Sequence, residues 1–572
     1  MNKQSHLLHM LLVIILTLSM ITGCKEKDDN KPYAGAVPTI TLSPSEMSIA
    51  PGSNANSTVL IDAPEGLKKL VIYKNGISFQ ELPFNYEKSV THSFNYTVES
   101  NAAAGSTISF SFEAIDSLDR KSDQKNFIIS VTEKPQKEIL QVIADITTNT
   151  TWTADKIWRI NNIVRVKEGS ILTIEPGTLV FGASDTKGTL IVQRGAKIIA
   201  EGTSSSPIVF TSDKVPGSRA AGDWGGIVIC GKAPNNQGNN NSIEGMTGEY
   251  YGGNVANDNS GVLKYVRIEF AGKRIETNKE INSLTLASVG SETTIAFIQA
   301  SFGLDDSFEL FGGTVNAKNL ISYRTEDDDF DVDYGHVGYI QFALGIRDAN
   351  IADQFYSNGL EVDNNGAGTS QTPYTQTVFS NITIIGGKYT AENPVHLSLQ
   401  NAAQLRTNSM PAIYNSFFTG FPFGLLIDDT KPGASQHALN EELQVRNVIL
   451  AGVENWGNNG WGGNTNNTNG PVVHAGTGAS GFNVDTWFQS NLYNNSIKSK
   501  WQDAGIDESL YVTMNPKVTP NQGSILLSAA KWDNTPKASS SFFEKVTFTG
   551  AFGSNDWSAG WCNWNPQETV YQ

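Results

Sequence analysis

The chain has 572 residues, with 41 Lys and Arg against 57 Asp and Glu, and so carries a formal net charge of −16. A surface of that sign repels phosphate backbones and excludes nucleic acid as a partner. The length asks for more than one domain, and three cysteines are too few for a disulfide-built scaffold.

Residues 1–23 open with a short polar start carrying Lys3 and continue into the apolar run LLVIILTLSMI, which has signal-peptide rather than membrane-spanning length. The run closes on Ile21-Thr22-Gly23-Cys24, which resembles a bacterial lipobox. That resemblance implies cleavage before Cys24 and diacylation of Cys24. Residues 24–37, starting with CKEKDDNKP, form a charged tether that cannot pack. An acid-rich tether directly after the lipidated cysteine resembles the surface-export signals of Bacteroidota lipoproteins, and implies an outward-facing place on the outer membrane. Outer-membrane lipid would then hold the protein through Cys24, with no transmembrane helix needed.

Residues 38–134 show period-two alternation. In Ser106–Asp116, Ile108, Phe110 and Phe112 alternate with Thr and Ser. The runs STVLIDA, KLVIYKNG and NFIISVTE have strand length, and Asn75-Gly76 is a hairpin turn. About seven such runs without helical periodicity predict an immunoglobulin-like β-sandwich. It holds no catalytic cluster, and its expected role is that of a stalk.

From 135 to 572 the texture changes to short β runs closed by glycine at fixed offsets. The corners Pro176-Gly177-Thr178 and Arg194-Gly195-Ala196 lie 18 residues apart. This recurrence predicts a solenoid, because one coil buries its inner face only when a neighbour stacks on it. A second repeat is stronger: DDSFELFGG (Asp305–Gly313) aligns with DDDFDVDYG (Asp327–Gly335) at an offset of 22, and SNGLEVDNN (Ser357–Asn365) aligns 30 further on. Side chains alternate across a strand, so Phe308, Phe330 and Leu360 share the core face with Leu310, Val332 and Val362. The opposite face carries Glu309, Asp331 and Glu361 in one column and Phe311, Asp333 and Asp363 in the next. The expected fold is all-β, an immunoglobulin-like sandwich followed by a long right-handed parallel β-helix.

The segments EPGT, GTLIVQRGAKIIAEGT, PIVFTS, GDWGGIVI, the paired-Asp coils and the closing GAFGSNDWSAGWCNWNPQ occur together. In this combination residues 137–572 resemble the pectin-lyase-like β-helix region of Bacteroidota surface lipoproteins. The resemblance implies architecture and location and carries over no catalytic residue. Trp557, Trp561 and Trp564 in the closing segment are expected to cap the open end of the solenoid.

Carboxylates on neighbouring strands, about 5 Å apart, repel by ~3 kcal/mol at an effective dielectric of about 20. The columns therefore call for a bound cation, raised pKa values or side chains splayed into water. Oxygen ligands favour a hard cation. The candidate cofactor is calcium, with Asp305, Asp306, Glu309, Asp328, Asp329, Asp331, Asp333, Glu361 and Asp363 as its ligands; a solvated acidic face is the alternative. An EF-hand match at Asp329 fails, because its sixth position is Tyr334 and its twelfth Ile340.

Two Asn/Gly-rich loops, Asn235–Gly261 and Asn455–Gly470, read as excursions too polar to pack. Their rings Tyr250, Tyr251, Trp456 and Trp461 are candidates for stacking on a sugar, or else loop anchors. Cys230 and Cys562 either form one disulfide that pins the C terminus or remain two buried thiols.

These features point to a non-enzymatic module that binds a glycan or another surface component. One alternative is a polysaccharide lyase or hydrolase, with Lys318, Arg324, Arg347 or Arg406 as a base beside calcium. Another is a purely structural envelope protein. A cleft joining Asp305, Asp328, Asp331 and Asp333 to Arg324 or Arg347 would favour catalysis, and a flat acidic ribbon would favour binding.

Overall fold

The computed structural model describes residues 35–572 apart from positions 100, 134–135, 244–245, 247, 277–278, 355, 391, 454–470 and 513, with the side chains of 275–276, 279–280 and 512 also outside the description. Cys24, Trp456 and Trp461 thus lie outside the described residues. The chain divides into two compact units between Pro135 and Gln136.

The first unit is a two-sheet sandwich. Thr39–Ser43, Asn54–Asp62 and Ser89–Thr97 form one sheet. Glu46–Ile49, Lys125–Val131, Thr107–Asp116, Leu67–Lys74 and Ile77–Pro83 form the other, in that order. The inward residues of both, among them Val59, Phe94, Phe110, Phe112 and Phe127, share one core. Asn75 and Gly76 join two strands with φ of 50° and 81°, the two positive values that a tight hairpin turn requires.

The second unit is a parallel β-helix. One sheet stacks ten short strands, and a second runs seventeen strands along the same coils. In the ten-stranded sheet Phe308 pairs in register with Phe330, and Phe330 with Leu360. Leu310, Val332 and Val362 stack likewise. All six side chains are at most 1% exposed, and the Phe308 and Phe330 rings stack at 5.3 Å. The repeat offsets of 22 and 30 are thus the lengths of two successive coils.

The longer strands of the seventeen-stranded sheet bend at a single residue. Tyr265, Phe297, Asn319, Phe342, Asn381, Asn415 and Asn447 occupy one register position, and each has φ between 49° and 59°. Asparagine tolerates this left-handed conformation, whereas an aromatic residue holds it at a cost of about 1–3 kcal/mol. Ring contacts offset that cost: Tyr265 stacks on Phe297 at 4.4 Å, and Trp561 meets both edge-to-face.

Trp561 belongs to a C-terminal strap rather than to the expected end cap. Asn447 donates to the Lys531 carbonyl, Gln341 to that of Glu544, Asn381 to that of Phe548, Gln299 to that of Asn563 and Arg219 to that of Pro566. The segment therefore runs back along the side of the solenoid from its late coils to its early ones. Trp564 packs edge-to-face on Tyr323, within a cluster that also holds Trp557 and Trp561. A lateral strap buries these rings against sheet aromatics, a contact that an open end does not offer.

The cysteines do not pair. Cys230 ends a strand of the ten-stranded sheet and packs with Val228, Tyr251 and Phe311, whereas Cys562 lies in the strap against the other sheet. Separate clusters hold them apart, so of the two alternatives the structure has two free thiols. Burial raises both thiols, Cys230 to about 12.

Phe330→Ala would open a cavity in the middle of the core ladder. It is expected to lower the unfolding free energy by about 3–5 kcal/mol, measured as a shift of the urea midpoint followed by far-UV circular dichroism.

Candidate functional site

The site lies on the outward face of the ten-stranded sheet. There the register aligns Thr285, Glu309, Asp331, Glu361 and Gln404 on successive coils. Two residues before each strand a second column forms, reading Asn282, Asp306, Asp328, Asn358 and Asn401 by the same pairing. Its members tie coil to coil. Asp306 Oδ1 accepts the Asp328 backbone N–H at 2.8 Å, and Asp328 Oδ1 accepts that of Asn358.

These columns do not form a solvated ribbon. They line a cavity of about 290 Å³ bounded by Asp305, Asp306, Glu309, Asp327, Asp328, Asp331 and Glu361 together with Asn282, Thr285, Tyr356 and Arg406. Ile243 and Ile281 wall it, and Asp306, Glu309 and Asp328 are at most 9% exposed. The Asn235–Gly261 loop supplies part of the wall, against the expectation that it cannot pack. Ile243, Met246 and Tyr251 are buried with Phe311. Glu249 accepts from Arg165 Nε at 2.5 Å and from Gln193 Nε2 at 2.8 Å. The few apolar residues scattered through a polar stretch are sufficient to anchor it.

Three of the nine expected metal ligands stand apart. Asp329 turns inward, accepts from Ser322 at 2.5 Å and lies 3.6 Å from Arg347, with both side chains fully buried. Asp363 accepts from Arg406 Nε at 2.8 Å and from Thr407 at 2.7 Å. Asp333 accepts the Tyr334 N–H at 2.5 Å and does not line the cavity. The other six converge there. Sequence reasoning missed Asp327 as a member, and missed Asn282 and Thr285. The segment Asn282–Ala287 aligns with Asp306–Phe311 at an offset of 24, so carrying the repeat one coil upstream would have found both.

Of the four candidate rings, Tyr250 and Tyr251 lie among the described residues. Tyr251 is 1% exposed and stacked 6.1 Å from Phe311, which makes it a loop anchor, while Tyr250 is exposed. Tyr356, 45% exposed, is the aromatic residue at the cavity mouth.

The electrostatics are severe. Three sets of carboxylate oxygens each lie within 4.8 Å of one another: Asp305–Asp306–Asp327, Asp306–Glu309–Asp331 and Asp328–Asp331–Glu361. Burial, reinforced by neighbouring carboxylates, raises Asp306, Asp327, Asp328 and Asp331 well above the usual carboxylate range. Arg406 is the lining cation, bonded to both Glu361 and Asp363. Burial pulls its pKa down, but those carboxylates outweigh burial and hold the guanidinium charged. Two buried acceptors, Asp331 Oδ1 and Asn282 Oδ1, accept no hydrogen bond among the described residues. Orphaned oxygens within a carboxylate cluster fit a hard cation, whose coordinating oxygens stand at most about 5 Å apart.

Lys318 pairs with Glu544 at 2.9 Å, Arg324 with Asp348 at 3.3 Å and Arg347 with Asp329. None of the three lines the cavity. The cleft expected of a catalyst is therefore present for Asp305, Asp328 and Asp331, but without Asp333 or either expected arginine.

A family model described as pectate-lyase like beta helix domain matches residues 144–492. Curated protein sequences give no match. Among solved structures, the catalytic unit of a thermostable GH87 alpha-1,3-glucanase from Streptomyces thermodiastaticus strain HF3-3 aligns at 11% identity and a TM-score of 0.26, over 69% of this chain and 78% of that one. A Niemann-Pick type C2 protein from Japanese carpenter ant aligns at 14% identity and a TM-score of 0.14, over 18% of this chain and 98% of that one. Scores this low carry neither activity nor ligand across.

Because the folded carboxyls hold protons to higher pH than unfolded ones, the native state binds more protons from the ordinary carboxylate range upward, and stability falls as pH rises through that window. His336, held down to about 4 by burial, acts in the opposite sense below neutrality. The informative quantity is therefore the difference between wild type and Asp331→Asn. In excess chelator the substitution is expected to raise the melting temperature by several degrees at pH 8 and by much less at pH 5, measured by differential scanning calorimetry.

Proposed function

Since this chain belongs to the pectate-lyase-like β-helix family, we propose that its acidic cavity holds a hard divalent cation, calcium foremost, and presents it to the oxygens of a glycan. The protein then acts as a carbohydrate-binding module. The observation that carries this reading is the pair of buried, donorless oxygens on Asp331 and Asn282 inside a cluster of seven carboxylates. A cation would satisfy those oxygens and relieve the repulsion together, which one guanidinium cannot do. Calcium would be held by Asp306, Glu309 and Asp331 or by Asp328, Asp331 and Glu361.

A second reading, glycoside hydrolysis, is favoured by one specific feature. The cavity joins Asp328, which burial and neighbouring carboxylates push well up, to Glu361, also raised by burial but bonded to the Arg406 guanidinium that opposes the rise, and acid and base roles divide when environments differ. Proton abstraction by arginine is disfavoured, because Glu361 and Asp363 keep Arg406 charged.

The Ile21–Cys24 segment and the tether after it support attachment to outer-membrane lipid through a diacylated Cys24, facing the exterior. The strand order of the sandwich supports an immunoglobulin-like spacer between anchor and β-helix.

Calcium is expected to raise the melting temperature of the chain from residue 36 onward, and Asp331→Asn/Glu361→Gln is expected to abolish that rise. No shift at millimolar calcium would end the metal reading. Incubation with neutral and acidic polysaccharides, followed by assays of reducing ends and of the ultraviolet absorbance of unsaturated uronides, separates binding from cleavage: new reducing ends without that absorbance, lost in Asp328→Asn, would establish the hydrolytic reading. In the native host, Cys24→Ala is expected to move the protein from the membrane to the soluble fraction.

A further inference from the structure

Along the bend of the seventeen-stranded sheet the strap takes up the corner asparagines one by one. Asn381 donates to the Phe548 carbonyl at 2.8 Å, Asn415 accepts the Lys531 N–H at 2.9 Å, and Asn447 donates to the Lys531 carbonyl at 2.9 Å. Asn319 holds the same corner position with a φ of 57° and is 9% exposed, yet its side-chain amide has no hydrogen-bond partner among the described residues. Its register neighbours on the two flanking coils are Phe297 and Phe342.

The strap stands off from the sheet at this point. Between them is a cavity of about 380 Å³, floored by Asn319 and walled by Phe297, Phe342, Phe548 and Trp557, with the exposed Ser554 at its rim. The walls are held rigidly. Trp557 stacks on Phe552 at 4.5 Å and donates its indole N–H to the Ala551 carbonyl at 2.8 Å. Phe548 lies 5.9 Å from Phe342. Gly553 lets the strap close over Phe548, since a Cβ there would come within 2.6 Å of the ring.

The chemistry of this space selects its occupant. A wholly apolar ligand would cover the Asn319 amide without pairing it, at a cost of about 1–3 kcal/mol. A charged ligand would meet only Glu544, which already pairs with Lys318. A neutral pyranose offers an apolar C–H face to the rings and hydroxyls to the amide, and fits a cavity of this size. We propose that this cavity is an accessory binding site for one neutral pyranose unit of a glycan, on a different sheet from the acidic cavity and independent of any cation.

The test is isothermal titration calorimetry of the full chain with cello-, laminari-, malto- and mannohexaose in excess chelator. Asn319→Gly removes the amide while keeping the left-handed corner accessible. Ser554→Trp fills the mouth from an exposed position. At least one hexaose is expected to bind at millimolar or tighter affinity, and each variant is expected to weaken it at least about tenfold, the scale of one lost hydrogen bond. Asp331→Asn should leave that affinity unchanged. Absence of binding by all four sugars, or wild-type affinity in both variants, overturns the inference. Loss in Asp331→Asn alone places the sugar in the acidic cavity, which overturns this site while leaving the proposed function standing.

Discussion

Stacked parallel strands stand about 4.8 Å apart, and that spacing imposes the character of one coil on the next. A residue type repeated at the coil length becomes a column. On the inward side the repetition is favourable: Phe308 over Phe330 over Leu360 buries ring against ring, each fully buried large side chain contributing about 1.5–3 kcal/mol. On the outward side the same register lines up Glu309, Asp331 and Glu361, where repetition is unfavourable unless something intervenes. One geometric constraint thus creates both the core and the site.

Neither outward face is left as a bare ribbon. Over the ten-stranded sheet the Asn235–Gly261 loop folds back, pinned by Tyr251 on Phe311 and by Glu249 on Arg165. It converts an acidic column that water would screen into a cavity where repulsion is strong and acceptors go unpaired. Across the bend of the other sheet the C-terminal strap does the equivalent, pairing with the corner asparagines and sheltering the aromatic ones. In both cases the cover is a segment without regular repetition laid over a strictly repetitive surface. Where the cover meets every group, the face is sealed; where it does not, a cavity with unsatisfied polar atoms remains.

This division explains what was legible in the sequence. The registers of 22 and 30 residues could be read directly, because stacking forces equivalent residues into the same environment and the pattern of Phe, Leu and Val records it. Six of the expected carboxylates converge for the same reason. The covers were not legible. Tyr251 and Tyr250 are adjacent and chemically identical, yet one is 1% exposed and the other 47%, a difference set by which ring reaches Phe311 across the sheet. Asp329 reads like its neighbours in an acidic run, but it precedes the strand and turns inward to Arg347, a partner that periodicity does not reveal. The tryptophans of the closing segment announced a cover, and only the three-dimensional path showed that it lies along the solenoid.

The inward turn of Asp329 also clarifies what the remaining carboxylates require. Asp329 meets its burial locally through a serine hydroxyl on Oδ1 and a buried arginine 3.6 Å away, although Oδ2 accepts no hydrogen bond among the described residues and burial pushes the carboxyl up to about 6. Asp363 does so with Arg406 and Thr407. The chain can therefore neutralise a buried aspartate where stability alone is at issue. At Asp331 it supplies no donor, and it places Asp306, Glu309, Asp328 and Glu361 around the same space. Leaving that set uncompensated costs stability that nearby coils avoid, a pattern that belongs to a site shaped for something other than its own fold.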